Sequence, residues 1–279
     1  MTDVATGAGE LLRVEHRGGF WFARLNRPDK RNALSDELVA GLSELLDRVS
    51  TDLAARALVI SGAGGHFCAG ADFGGFLRLM QGPAGHAEDP IAHYNRQFGA
   101  MLERLAALPV PTIAVVSGVA MGGGCGLAAA CDRVIAAEDA TFAMPEVTLG
   151  VAPAQIAPFV VRRAGARRAR WLMLAAARLS ATEARDAGLA DVVVPAAALR
   201  AALEADLRLL ASAEPAALRA TKRIVTRTLE APLAASLDAA AQEFAGLLRH
   251  GAAAEGIAAS RARRPPAWAE PLPELPDFP

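Results

Sequence analysis

Two glycine-rich turns, each set between a β-branched apolar run and a helix-like stretch, constrain the fold of this chain most. The first reads His66-Phe67-Cys68-Ala69-Gly70-Ala71-Asp72-Phe73 and follows Ala57-Leu58-Val59-Ile60. The second reads Gly118-Val119-Ala120-Met121-Gly122-Gly123-Gly124-Cys125-Gly126 and follows Thr112-Ile113-Ala114-Val115-Val116. A strand that breaks at glycines and re-enters a helix leaves free backbone N–H groups at the helix start. Two such turns, brought together, place a pair of N–H donors where a developing oxyanion can sit.

The rest of the chain reads as α/β up to about residue 195, with a helical appendage beyond it. Leu12–Glu15 and Phe20–Leu25 alternate about Arg17-Gly18-Gly19, the pattern of a β-hairpin. Ser35 is placed to cap a helix with the apolar face Leu38, Leu42, Leu45, Leu46 and Val49. Phe76–Met80 and Ile91–Leu108 read as helices, and Gln81–Pro90 between them as a mobile loop. Arg133–Ala137 and Asp191–Pro195 read as short strands, whereas Thr141–Ile156 has no helical period. Arg163–Arg178 reads as one helix, and Ser180-Ala181-Thr182-Glu183 as a capping box whose helix ends at Gly188. Leu199–Leu210 and Pro215–Leu229 are helical, and Leu237, Ala241, Phe244 and Leu248 form one stripe of a final helix. The stretch from Pro265 onward is proline-rich and expected to be loosely ordered.

A chain of 279 residues, 53% hydrophobic, has enough material for one large core. Its net charge of −1 gives no footprint for nucleic acid or an anionic membrane. No apolar run is long enough to span a bilayer, and Met1–Glu10 lacks the regions of a signal peptide, so a cytoplasmic protein is expected. Cys68, Cys125 and Cys131 lack metal-ligand spacing and read as buried free thiols. His66, His86 and His93 form no metal or nucleophile pattern, so no metal site is expected.

These motifs together resemble the crotonase (enoyl-CoA hydratase/isomerase) superfamily. The resemblance rests on Asn26-Arg27-Pro28 with Asn32-Ala33-Leu34, on His66–Asp72, on Gly122-Gly123-Gly124-Cys125 with Cys131-Asp132, on Pro145-Glu146-Val147 with Leu149-Gly150, and on Ala187-Gly188-Leu189. It runs in order from about residue 11 to about 264. It implies a spiral of ββα units over residues 1–195, a helical trimerisation region over 196–264 and a proline-rich tail over 265–279. It further implies an acyl-CoA substrate, no separate cofactor, and a homotrimer or a hexamer of two trimers. Carried onto this chain, the oxyanion hole is the backbone N–H of Ala71 and of Gly123. Arg31, Ala33, Ala69, Ala71, Asp72, Phe73 and Gly74 would line the CoA channel.

The family's hydratases commonly use two glutamates; this chain keeps the second, Glu146, and has Gly126 at the place of the first. Burial of Glu146 among Met144, Val147 and Leu149 would raise its pKa toward neutrality, as proton transfer requires. The altered segment Val151–Val160, taken with Gly-Gly-Gly-Cys-Gly, is similar to hydratases of branched glutaconyl-CoA substrates from leucine and acyclic-terpene degradation. Three readings of Gly126 stand: a hydratase whose water is held partly by Gln155 or main chain, a one-carboxylate isomerase, or a degraded paralogue. Pocket depth would depend on Phe73, Phe76 and the Gln81–Pro90 loop.

Simpler roles compete at other positions. Asp72 suits a helix cap better than chemistry, and Cys125 suits packing. The arginines at 162, 163, 167, 168 and 170 suit a solvated face making intersubunit salt bridges. Gly124-Cys125-Gly126-Leu127-Ala128-Ala129 also fits G-x-G-x-x-A with an acid about twenty residues on, so an NAD(P)-dependent oxidoreductase is a rival reading. A non-enzymatic scaffold or RNA-binding role is the other.

Overall fold

The computed structural model describes residues 2–3, 9–80, 89–249 and 251–277. The loop expected over Gln81–Pro90 lies outside these but for its last two residues; His86 and the side chain of Phe76 lie outside them too. In chain order the elements begin with β1 (Thr2–Asp3), β2 (Leu12–Arg17), β3 (Phe20–Leu25), α1 (Asp36–Thr51) and β4 (Ala57–Gly62). Then come α2 (Gly74–Met80), α3 (Pro90–Ala106), β5 (Thr112–Val116), β6 (Val119–Met121) and α4 (Gly123–Ala129). β7 (Arg133–Ala137), β8 (Thr141–Ala143), α5 (Ala157–Ala164), α6 (Ala166–Ala175), β9 (Arg178–Ser180), α7 (Ala181–Asp186) and β10 (Val192–Val194) complete the strands. Four helices follow: α8 (Leu199–Ala211), α9 (Pro215–Thr228), α10 (Leu233–Arg249) and α11 (Ala252–Ala262).

The strands form a seven-stranded sheet, β1-β2-β3-β4-β5-β7-β10, and a three-stranded sheet, β6-β8-β9. β3, β4, β5, β7 and β10 run parallel, and a parallel sheet is stable when both faces are covered. Alternation along β4 achieves this. Leu58 and Ile60 enter the inner core with the α1, α3 and α4 side chains. Ala57 and Val59 enter a second core with Leu199, Leu203 and Leu207 of α8. After β5 and after β7 the chain leaves the large sheet, adds a strand to the small one (β6, β8) and then turns into a helix, while β3 and β4 lead to α1 and α2 past single bridges, Leu34 to Ala71 and Cys68 to Ala120. That is the expected spiral of ββα units. The small sheet escaped sequence reading because three-residue strands show no period.

Local chemistry explains the helix ends. Ser35 Oγ accepts from Leu38 N at 3.4 Å, and Ser180 with Glu183 forms the full capping box. The single helix expected over Arg163–Arg178 is broken into α5 and α6 at Gly165, whose φ of 76° no helix accommodates. Arg163 does not join a solvated face. Its side chain is buried, bonding Leu189 O at 3.0 Å, Cys131 O at 2.8 Å and the Asp191 carboxylate.

At the C-terminal end, the first helix of the helical region, α8, covers the outer face of the large sheet. The proline-rich tail is pinned rather than loose. Leu275 is buried in the second core, and the Leu275 and Pro276 carbonyls accept from Arg200 at 3.2 and 3.1 Å. Further back, Trp268 O accepts from Arg56 at 2.6 Å. Proline lacks only a donor; its carbonyl remains a strong acceptor, and arginines exploit that here.

Candidate active site

The first glycine turn is laid along β6. Cys68 N donates to Val119 O and Met121 N donates to Cys68 O, both at 2.9 Å. Gly70, at φ +95°, makes the close approach possible: a Cβ there would lie 2.7 Å from Met121 O and 3.4 Å from Gly123 N. The next residue, Ala71, bridges Leu34, with Leu34 N donating to Gly70 O at 2.8 Å and Asp72 N to Leu34 O at 3.0 Å. Both flanks of Ala71 are therefore fixed, while its own N–H has no acceptor among the described residues.

In the second turn, Gly122 N donates to Ala143 O at 2.8 Å, and Gly126 N closes the first helical bond onto Gly122 O at 3.0 Å. Gly123 opens α4, and its N–H likewise has no acceptor among the described residues. Two free main-chain donors are thus brought together across Gly70. The α4 dipole adds positive potential at the same point.

Glu146 enters from the end of β8 through a tight turn closed by Val151 N on Glu146 O at 3.1 Å and by Gly150 at φ 75°. Its half-buried carboxylate faces α4. Oε1 lies 2.9 Å from where a Cβ on Gly122 would stand, and Oε2 is buried with no hydrogen-bond partner. Burial pushes the Glu146 pKa upward, and burial, with a lesser contribution from the Glu146 charge, pushes the Cys125 thiol up to about 12. An unpartnered carboxylate oxygen beside two unpartnered N–H groups is a costly arrangement for stability alone, and suited to proton transfer next to a stabilised oxyanion.

The remaining residues fall into two groups. Arg31, Ala33, Ala69 and Asp72 are brought together: Ala69 N donates to Arg31 O at 2.9 Å, and Arg27 reaches both Ala33 O at 2.6 Å and Asp72 Oδ2 at 3.0 Å. Asp72 Oδ1 also accepts from Gly74 N at 3.2 Å, so Asp72 caps and ties the turn. Arg27 and that bond hold the Asp72 carboxyl below its usual range. Phe73 is 42% exposed. Gln155 is tied to α3: its Nε2 donates to Asn95 Oδ1 at 2.8 Å, and its carbonyl lies over Gly99; Asn95 is among the walls of the cleft that reaches Ala71. A cleft of 390 Å³ between α1 and α3 reaches Ala71, with Leu34, Val39, Phe98 and Met101 among its walls.

Several contributors were not among the expected site residues, although Asn32 and Leu34 stood in one of the motifs. Asn32, fully buried at φ +58°, holds the Ala63 and His66 carbonyls at 2.9 and 2.6 Å and accepts from Arg27 N at 2.8 Å. Asparagine's tolerance of left-handed backbone was the available clue. Leu34 and Phe98, each 3.2 Å from a Cβ built on Gly123, wall the donor pair. Ile156 fills the space over Gly126. The glycines of the G-x-G-x-x-A run are consumed by such packing. A Cβ on Gly124 would overlap Cys68 O, and one on Gly126 would overlap Ile156 Cγ2. No metal-holding cluster occurs among the described residues, nor any helix long and apolar enough to cross a membrane.

Comparison with known proteins identifies the family. The Enoyl-CoA hydratase/isomerase family profile matches residues 15–271. A probable enoyl-CoA hydratase of Rhizobium meliloti is 39% identical over 63% of this chain, and the match spans 65% of that relative's length. A 1,2-epoxyphenylacetyl-CoA isomerase of Escherichia coli is also 39% identical, over 63% of this chain and 66% of its own. The crystal structure of an enoyl-CoA hydratase/isomerase from Marinobacter aquaeolei superposes with a TM-score of 0.90 at 41% identity, covering 94% of this chain and all of the other. With the profile spanning most of the sequence and the spiral shared with that crystal structure, the chain belongs to the enoyl-CoA hydratase/isomerase family.

Proposed function

We propose that this protein adds water across the C2–C3 double bond of an enoyl-CoA thioester. The observation that carries the reading is the Glu146 carboxylate, with Oε2 unpartnered and Oε1 2.9 Å from the Cβ position of Gly122, the residue before the free N–H of Gly123, which in turn lies 3.4 Å from the Cβ position of Gly70, the residue before the free N–H of Ala71. The thioester oxygen sits between those two donors. Glu146 takes a proton from water as the water oxygen bonds to C3. The π pair moves through C2 to the thioester oxygen, giving an enolate held by the two N–H groups. Glu146 then returns the same proton to C2 as the carbonyl re-forms. A positioned donor of this kind is worth roughly 3–4 kcal/mol in the transition state.

One observation also favours bond migration. Ile156, not a carboxylate, occupies the α4 face next to Glu146. A lone carboxylate suits transfer of a C2 proton to C4 of a 3-enoyl ester. The test is a panel of 2-enoyl, 3-enoyl and branched glutaconyl-CoA esters scored separately for hydration and migration. Hydration faster than migration is expected, with the branched glutaconyl ester the preferred substrate in keeping with the Val151–Val160 segment. Migration alone would replace the reading with the isomerase, and thermal stabilisation by NADH but not CoA esters would overturn both.

The chain is further read as a homotrimer or a pair of trimers. Its support is the apolar stripe of α10, where Leu237 and Phe244 are 61% and 63% exposed and Leu248 is also exposed. An isolated helix gains nothing from such a face; a second copy buries it.

A further inference from the structure

Positions 122 and 126 of α4 lie one helical turn apart and present one face. Glu146 stands over the first of them. Over the second stands Ile156, almost fully buried: a Cβ on Gly126 would overlap Ile156 Cγ2 and lie 2.6 Å from Ile156 Cβ. The preceding residue is seated the same way. A Cβ on Gly99 of α3 would overlap Gln155 Oε1 and lie 2.7 Å from Gln155 Cδ, while Gln155 Nε2 holds Asn95 at 2.8 Å. Two adjacent side chains of one segment therefore occupy two glycine slots on two different helices. Ala157 N bonded to Pro153 O at 3.0 Å closes the segment on itself, so Ile156 cannot swing away without breaking the tie to α3.

We propose that Ile156, seated over Gly126 and braced by Gln155, is a specificity-determining residue that keeps any second polar group off the α4 face beside Glu146. Proton transfers at this site are thereby confined to those that one carboxylate performs alone. Any side chain at 126 projects toward the same region as Glu146, and only glycine coexists with the isoleucine. Gln155 is a positioning residue here. Its amide is held to α3, and it acts on the reaction through Ile156.

The proposal rests on the enoyl-CoA reading for its chemistry but not for its packing, so two measurements separate them. The first is a thermal double-mutant cycle that needs no turnover. Gly126→Ala alone is expected to lower Tm by roughly 5 °C through overpacking. Ile156→Ala also lowers Tm, and the double variant loses clearly less than the two losses combined. Additive losses overturn the proposal. The second compares Gly126→Glu with Gly126→Glu/Ile156→Ala. The single variant is expected to lose most of its folded yield. The double variant should fold, bind CoA esters, show a second ionisation in the pH profile of kcat/KM, and shift the hydration-to-migration ratio by about tenfold or more. A Gly126→Glu protein as stable and active as the parent, or a folded double variant with the parent's profile and ratio, overturns the proposal. A parent inert toward every enoyl-CoA ester overturns the functional reading instead, whatever the thermal cycle shows.

Discussion

Burial of the Glu146 carboxylate costs stability when the group is charged, and the proposed proton transfer would draw on the same raised pKa. Its pKa in the folded chain is raised by burial, so between the ordinary carboxylate value and the raised one the native state holds a proton that the unfolded chain has released. Stability therefore falls as pH rises through that window and stays lower above it. Glu146→Gln removes the penalty. Its Tm is expected to exceed the parent's at neutral pH, with the advantage shrinking as pH approaches about 4. The same variant loses the proton carrier, so kcat should fall by about 10²–10⁴-fold while CoA-ester affinity persists. Calorimetry across pH with steady-state kinetics checks both; a variant with full kcat refutes the role. In the parent, kcat/KM should begin to fall on acidification at a pH above an ordinary carboxylate's. At this scale the sequence was readable where a residue type stands out from its surroundings. A glutamate after a proline in an apolar stretch stands out, whereas Ile156 is an aliphatic residue in a segment without period. Its partner, Gly126, is thirty positions earlier in the chain, and nothing local announces that pairing.

The two turns work as one element because glycine permits approaches and dihedrals that other residues resist. Gly122, at φ +50°, has Glu146 Oε1 2.9 Å from the place of its missing Cβ. Gly122→Ala is thus strained in its backbone and also displaces the carboxylate. It is expected to cost about 1–3 kcal/mol of stability and to lower kcat by more than that loss of fold accounts for. A denaturant titration with kinetics checks this, and unchanged kcat would remove Gly122 from the site's geometry. The Arg27–Asp72 tie is a gentler case, its carboxylate being 38% exposed. Asp72→Asn should cost no more than about 1 kcal/mol, because solvent screens the pair. Asp72's pKa is depressed, so that contribution is present above its unfolded value and fades as pH falls through the folded one. Thermal melts of both proteins from neutral to strongly acidic pH read it directly; a constant difference would discount the ion pair. The β-branched runs and glycines announced both turns. What they could not announce was β6, β8 and β9, whose partners are remote in sequence, or the interruption at Gly165, where a residue tolerated in many contexts adopts a conformation that ends a helix.

Across the whole molecule, the large sheet is held from two sides by different parts of the chain. The inner face was legible, because the α1 stripe and the β4 and β5 runs are strongly patterned. The outer face was not. Its cover is α8 together with a proline-rich tail whose composition resembles a linker until Leu275 is seen buried beneath it. Leu275→Ala should therefore cost about 2–5 kcal/mol, as a core substitution does, where a loose tail would register nothing; urea unfolding distinguishes the two. The α10 stripe has the opposite history. Leu237, Ala241, Phe244 and Leu248 recur as a core-facing helix should, yet in the single chain they face outward. The period was right, and in the proposed trimer another copy would supply the missing half of the packing. If so, the protein should sediment at three or six times the 28.9 kDa chain mass. Phe244→Asp should shift that mass toward the single chain, since a charge buried against an apolar partner is strongly disfavoured. The secondary structure of the spiral core should survive, because α10 gives the inner core none of its buried side chains. A wild-type protein that stays monomeric at micromolar concentration, or a Phe244→Asp variant that assembles as before, would mean that this stripe faces something other than itself.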